Sequence, residues 1–147
     1  MSRSGRISWA DAVIGQALAE RVTRPLAITD FVRYQGASGD MNPIHHDVEF
    51  AQKAGYPQPF AVGMRQAGVM AGYSAELFGP ENVRRFKVQF REQAWPGDVI
   101  TYKATVADKR VKSGVRLVDL ELVAERQTGG VHLKGWATFV VPEEMGA

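Results

Sequence analysis

From residue 83 onward, apolar and polar side chains alternate with period two. Phe86, Val88 and Phe90 fall on one face, with Lys87, Gln89 and Arg91 opposite. Trp95-Pro96-Gly97-Asp98 then forms a turn, followed by an apolar face of Ile100, Tyr102, Ala104 and Val106. Lys112-Ser113-Gly114 turns the chain again. Val118, Leu120, Leu122 and Ala124 continue the pattern, with Asp119, Glu121 and Glu125 outside. After Thr128-Gly129-Gly130 come Val131, Leu133, Ala137, Phe139 and Val141, and Pro142 ends the run. Alternation bounded by turn residues predicts four long strands, each half-buried, joined as an antiparallel meander.

The first eighty residues have a different texture. Val13 to Ile28 can supply one further strand. Thr29 is a suitable N-cap for a short helix through about Ala37. Asp47 to Ala54 reads as a second short helix, closed by Gly55 and Pro57. Gly63 to Phe78 is the strongest helical segment, with Met64, Ala67, Gly68, Ala71, Ala75 and Phe78 at i, i+3, i+4, i+7 spacing. This helix is apolar nearly all round and carries small residues at 68, 71, 72 and 75, which predicts a helix wrapped by a curved sheet. Helices first and strands later give an α+β class, one domain over residues 1–147, with residues 1–10 expected to be flexible.

Composition narrows the functional classes. The chain is 45% hydrophobic and 23% charged, too apolar for a disordered segment. It has no cysteine, which excludes disulfides, thiolate metal sites and a cysteine nucleophile. The formal net charge is +2, and the densest basic cluster, Asp108 to Lys112, reads as a hairpin tip. No nucleic-acid partner is expected from so small an imbalance. No apolar run reaches membrane-spanning length, and Met1 to Arg6 is polar and basic, so a cytoplasmic protein without a membrane partner is expected.

The informative segment is Gly36-Ala37-Ser38-Gly39-Asp40-Met41-Asn42-Pro43-Ile44-His45-His46-Asp47. It lies between two helices. Gly39 permits a tight bend, and Pro43 fixes its own φ and extends Asn42. A stiff loop therefore presents a carboxylate, an amide and an imidazole within six residues. The segment reads two ways. Asp40 and Asn42 can be turn formers, with His45-His46-Asp47 a helix entry. Alternatively Asp40 and His45 share one water, one group taking its proton while the other supplies one. A zinc site does not fit, because His45 and His46 are neighbours and no spaced histidine pair accompanies them.

Ser38-Gly39-Asp40-x-Asn42-Pro43-x-His45-x-Asp47 resembles the hydratase signature of MaoC-like (R)-specific enoyl-CoA hydratases. Phe60-Ala61-Val62-Gly63-Met64 resembles the apolar-His-Gly-Met motif that opens the long helix in that family. The Phe86-x-Val88-x-Phe90 strand and the Pro96-Gly97-Asp98 turn extend the similarity over roughly residues 25–141. The resemblance implies a hot-dog fold, a curved antiparallel sheet around a central helix, and a dimer.

It also implies an activity. The substrate would be a trans-2-enoyl thioester of coenzyme A or of an acyl carrier protein, hydrated reversibly to a (3R)-hydroxyacyl thioester. Asp40 and His45 match the catalytic pair, Asp40 as the base toward water and His45 as the donor to the α-carbon. Asn42 matches an orienting residue. The Gly63 N–H, at the positive end of the long helix, would stabilise charge on the thioester oxygen, and Met64 and Arg65 would contact substrate. No metal or redox cofactor is called for; coenzyme A enters only as part of the substrate.

Two positions depart from the family's pattern. Val62 stands where histidine is usual and cannot hydrogen-bond. Arg65 stands where leucine is usual; it either pairs with Glu76 or another acid, or clamps a substrate anion. Two rival functions share the fold: a thioesterase or ring-opening hydrolase of CoA thioesters, and a subunit of a heteromeric dehydratase. Tyr73, Ser74, Trp95 and Trp136 are expected in packing roles. His132 is expected at the surface or an interface, and His46 is expected to point away from the site.

Overall fold

The computed structural model describes residues 5–142. Five antiparallel strands form one sheet: β1 (Arg21–Val22), β2 (Val83–Phe90), β3 (Ile100–Lys112), β4 (Val115–Arg126) and β5 (Val131–Val140). Three α-helices precede the long strands: α1 (Ile28–Ser38), α2 (Val48–Lys53) and α3 (Gly63–Phe78). The strand order is β1-β3-β4-β5-β2. α3 touches β2, β3, β4 and β5. This is the hot-dog arrangement of an α+β fold, a sheet around one long helix.

Only three of the four long strands form a meander. β3, β4 and β5 are consecutive neighbours, but β2 pairs with β5, through Phe86↔Ala137 and Phe90↔Leu133, not with β3. The turn at Trp95–Asp98 is thus part of a crossover of residues 91–99, not a hairpin. Asp98, buried in that crossover, accepts hydrogen bonds from the Trp95 N–H at 2.7 Å, from Arg126 Nε at 2.7 Å and from Gln127 Nε2 at 2.8 Å. Those bonds tie it to the end of β4, a reason for crossing that alternation does not encode. Between β3 and β4 the hairpin is tight: Ser113 and Gly114 have φ of 50° and 75°, the left-handed pair of a type I′ turn.

Three of the four apolar faces read from the alternation form the core, and of the β2 face Phe86 and Val88 pack half-buried against it while Phe90 stays half-exposed. Ile100, Tyr102, Ala104, Val106, Val118, Leu120, Leu122, Ala124, Leu133, Ala137 and Phe139 are buried. α3 has the expected bounds but a different rotation. Its buried residues are Gln66, Ala67, Met70, Tyr73, Ser74 and Phe78, whereas Gly68 and Gly72 are exposed and face open space. The close approach of helix and sheet is made from the sheet side instead. A Cβ on Gly135 of β5 would stand 2.5 Å from Met70 Sδ and 3.2 Å from Leu122 Cβ. Tyr73 is accommodated in the core because its hydroxyl donates to Ala19 O at 2.7 Å.

Smaller departures concern the first half. The N-cap of α1 is Ala27, and Thr29 lies inside the first turn. Asp30 takes the capping role, accepting from the Ala27 N–H at 3.0 Å. α2 is capped by Asp47, whose carboxylate accepts from the Phe50 N–H at 3.0 Å. The fifth strand expected between Val13 and Ile28 is only two residues long, supplemented by a bridge between Ala17 and Thr105. Of the stretch expected to be flexible, residues 1–4 lie outside the described residues. Ile7, further along it, donates to Leu77 O at 2.8 Å, at the end of α3.

Candidate active site

The loop between α1 and α2 is built by short-range hydrogen bonds that its sequence supplies. Gly39, at φ 78°, ends α1 and donates to Gln35 O. Asp40 Oδ1 accepts from the Asn42 N–H at 3.3 Å, and Asn42 Oδ1 accepts from the Ile44 N–H at 3.1 Å. Asn42 thereby caps a 3₁₀ turn, Pro43–His45, that carries the imidazole. The turn formers and the candidate catalytic groups are the same residues, so the two readings of this segment do not exclude each other.

One residue that the motif does not single out holds the loop to the helix. Gln35 is 1% exposed. Its Nε2 donates to Asn42 O at 2.9 Å, which turns its Oε1 toward His46 Nδ1 at 2.8 Å. Because that oxygen only accepts, His46 donates, and its ring is committed outside the site. The available signal was the helical spacing of Gln35 from Phe31, which places it on the buried face of α1.

His45 is 8% exposed, and its Nδ1 lies 2.8 Å from Phe60 O. A carbonyl accepts only, so Nδ1 carries the proton, and the neutral ring keeps a lone pair on Nε2. Phe60 also meets the His45 ring edge-on, and Tyr56, Phe60 and Trp95 form an aromatic platform behind it. Trp95 therefore packs on Tyr56 and Phe60, in the segment between α2 and α3. Trp136 lies half-buried beneath Lys87, whose ammonium is 5.4 Å from the ring centroid.

A cavity of about 300 Å³ opens beside these groups. Asp40 and His45 line it together with residues 60–64, residues 90–93 and His132. The fold thus brings the expected catalytic pair to the first turn of α3. Asp40 is exposed at the mouth. Gly63 begins α3, and Val62 before it gives no side-chain cap; the Arg65 N–H donates to Val62 O at 2.9 Å, while Gly63 and Met64 bring the helix's positive end to the cavity. Val62 is 2% exposed and packs into the core. Phe90 lies over Gly63: a Cβ there would be 2.6 Å from Phe90 Cε1.

Of the residues expected to orient or bind substrate, Asn42 and Met64 keep roles at the site and Arg65 does not. Asn42 does not line the cavity and acts on the loop that carries His45. Met64 lines it but is 55% exposed. Arg65 points to the start of α1, 3.8 Å from Asp30, which also binds Arg24. Burial raises the Asp30 carboxyl pKa, but the bonds from Arg24 and the Ala27 N–H and the charge of Arg65 outweigh it, so the group sits below the usual carboxylate range. Glu76 pairs with Arg21 instead. Arg65 is thus engaged with an acid of the fold and does not border the cavity.

His132 is the opposite case. Its place on the last strand predicts a surface or interface histidine. It is 3% exposed, since residues 91–93 fold over it: the Arg91 N–H donates to His132 O at 3.0 Å, and His132 Nδ1 donates to Glu92 O at 2.6 Å. Burial holds its pKa below the ordinary histidine value. Among the described residues, no group of three or more His, Asp and Glu side chains is placed to hold a metal ion, and no helix is long and apolar enough to cross a membrane.

Comparison with known proteins places this geometry in a family. The family profile described as MaoC like domain matches residues 10–127. The peroxisomal multifunctional enzyme type 2 of Mus musculus is 36% identical over 66 residues, covering 43% of this chain and 9% of that protein. Enoyl-CoA hydratase ChsH3 of Mycobacterium tuberculosis is 31% identical over 131 residues, covering 87% of this chain and 43% of that protein. The chain spans less than half the length of either relative. Among solved structures, the unliganded R-hydratase PhaJ1 from Pseudomonas aeruginosa superposes with a TM-score of 0.80 at 26% identity, covering 95% of this chain and 88% of that one.

Proposed function

The chain belongs to the MaoC-like domain family, and from that premise we propose that it is an (R)-specific hydratase of trans-2-enoyl thioesters, carried on coenzyme A or an acyl carrier protein. The observation that carries the reading is that Asp40 and His45 line one cavity together with the N-terminus of α3. The hydrolase reading shares the water-activating pair, but the hydratase and R-hydratase likenesses favour addition to the double bond.

The tautomer of His45 supports a division of labour that reverses the sequence expectation. With Nδ1–H donated to Phe60 O, a neutral His45 offers Nε2 as an acceptor. A water bound between Nε2 and the Asp40 carboxylate gives its proton to Nε2 as its oxygen bonds to C3. The C2=C3 pair moves toward the carbonyl, leaving an enolate oxygen that the Gly63 N–H at the start of α3 stabilises. The imidazolium then returns the proton to C2, and Asp40 orients the water and balances the transient positive charge. Oxygen and proton arrive from one side, so the addition is syn. No metal enters any step.

A second copy of the chain is part of the proposal. Met64 and Phe90, which flank the catalytic pair, are 55% and 50% exposed, and Gly68 and Gly72 extend the open face along α3. β2 is an eight-residue edge strand with one side unpaired in the sheet. A homodimer would cover these surfaces. Light scattering of the purified protein checks this, and a stable monomer would overturn it.

The test of function is loss of conjugated-thioester absorbance with trans-2-enoyl-CoAs from four carbons to long chains, followed by chiral analysis of the product. Asp40→Asn and His45→Ala are each expected to cut kcat by about 100- to 10,000-fold with the fold intact. A variant with near-wild-type turnover would remove that residue from the mechanism.

A further inference from the structure

The cavity holds a second fixed imidazole that the hydration mechanism does not use. His132, on β5, borders the same space as Asp40 and His45. Its Nδ1 is 2.6 Å from Glu92 O, so Nδ1 carries the proton. Its Nε2 is fully buried and has no hydrogen-bond partner among the described residues. A buried polar atom without a partner costs stability, and an apolar side chain would fill the same site without that cost. Glu92, whose carbonyl fixes the ring, is itself held: its carboxylate accepts from Arg126 at 3.3 Å, and it packs so closely on Gly130 that no Cβ fits there.

We propose that His132 is a specificity-determining residue, whose Nε2 accepts a hydrogen bond from a neutral N–H or O–H of the bound acyl thioester. This rests on the thioester reading above. The chemistry follows from the tautomer. A ring nitrogen with a lone pair repels carbonyl and carboxylate oxygens and selects a donor. The depressed pKa keeps it an acceptor near neutral pH. An acyl thioester offers two sources of such a donor: the neutral N–H and O–H groups of the coenzyme A portion, such as the pantetheine amides, and a hydroxyl on the acyl chain, as in the 3-hydroxyacyl product.

Two probes separate them. Butyryl-CoA carries the amides and no acyl hydroxyl; (3R)-3-hydroxybutyryl-CoA carries both. Their affinities are measured by calorimetry for the wild type, His132→Phe and His132→Gln, with ¹⁵N-histidine spectra of the wild type free and saturated. Loss of one neutral hydrogen bond is expected to weaken binding by roughly five- to tenfold. If the donor is on the coenzyme A portion, His132→Phe weakens both probes; if the acyl hydroxyl is the donor, it weakens only the second. In either case the Nε2 resonance of the wild type shifts on binding, and His132→Gln, which keeps an acceptor, recovers part of the loss. Wild-type binding with an unmoved Nε2 resonance, or His132→Phe within twofold for both probes, overturns the assignment. Failure of the wild type to bind either probe overturns the thioester reading itself. The wild-type spectrum decides the matter even if His132→Phe does not fold.

Discussion

Gln35→Leu tests whether the active-site loop is positioned from α1. Leucine keeps most of the buried volume of a 1%-exposed side chain and removes both polar ends. Two hydrogen bonds disappear, Nε2 to Asn42 O at 2.9 Å and His46 Nδ1 to Oε1 at 2.8 Å. At roughly 0.5–1.5 kcal/mol each, their loss amounts to about 1–3 kcal/mol. Asn42 and His46 are exposed, so both orphaned groups can recover water, which keeps the cost in that range. Urea unfolding would read this as a lower midpoint at unchanged slope. The functional effect is expected to be larger than the stability effect suggests. Asn42 caps the turn that carries His45, and a shift of about 1 Å at a reacting group can cost on the order of 100-fold. His46→Ala serves as the internal control. It breaks only the outer bond, and is expected to retain most of the activity and to cost under about 1.5 kcal/mol. If Gln35→Leu turned over enoyl thioester at the wild-type rate while losing the expected stability, the loop would be positioned by its own turns and the argument for Gln35 would fail.

Two further substitutions probe the site and its frame. Gly63→Ala places a methyl 2.6 Å from Phe90 Cε1, but Phe90 is half-exposed and its ring can swing aside, so stability should change little. Turnover should nevertheless fall by about 100-fold, because the methyl keeps the thioester oxygen from the helix N-terminus; recovery in the Gly63→Ala, Phe90→Ala double variant would show that displacement of the ring, not blocked access, was the cause. Asp98→Asn is expected to destabilise by about 1.5–3 kcal/mol, because the bond to Arg126 loses its charge while Arg126 keeps Glu92. Burial raises the Asp98 pKa, but its bonds from Arg126, Trp95 and Gln127 outweigh this and lower it. A carboxyl depressed in the folded state stabilises fully above its unfolded value of about 4, and that contribution is lost as pH falls through the folded value. Acid titration of stability should therefore be flatter below about pH 4 in Asp98→Asn than in the wild type, and equal slopes would contradict the assignment.

What the sequence determined by itself is local. Period-two alternation set the buried faces of β3, β4 and β5, because a strand with one face in a core has no other way to arrange its side chains. The bounds of α3 and the stiffness of the 39–47 loop also followed from short-range chemistry: a glycine that can turn, a proline with fixed φ, side chains that bond their own backbone. Asp40 and His45 were legible for the same reason, lying five residues apart on that loop. The tertiary structure decided what depends on partners distant in sequence. β2 pairs with β5 and not with its successor, since the crossover is anchored by Asp98 on Arg126 and Gln127. The rotation of α3 was set by where the sheet makes room, at Gly135 under Met70, and not by the small residues of the helix itself. Arg65 was claimed by Asp30 on another helix. His132 looked like a surface residue because alternation counts only its own strand; the fold of residues 91–93 over β5 buried it and turned it toward the cavity. A side chain's environment is fixed by whichever segment packs against it, and only the folded chain specifies that segment.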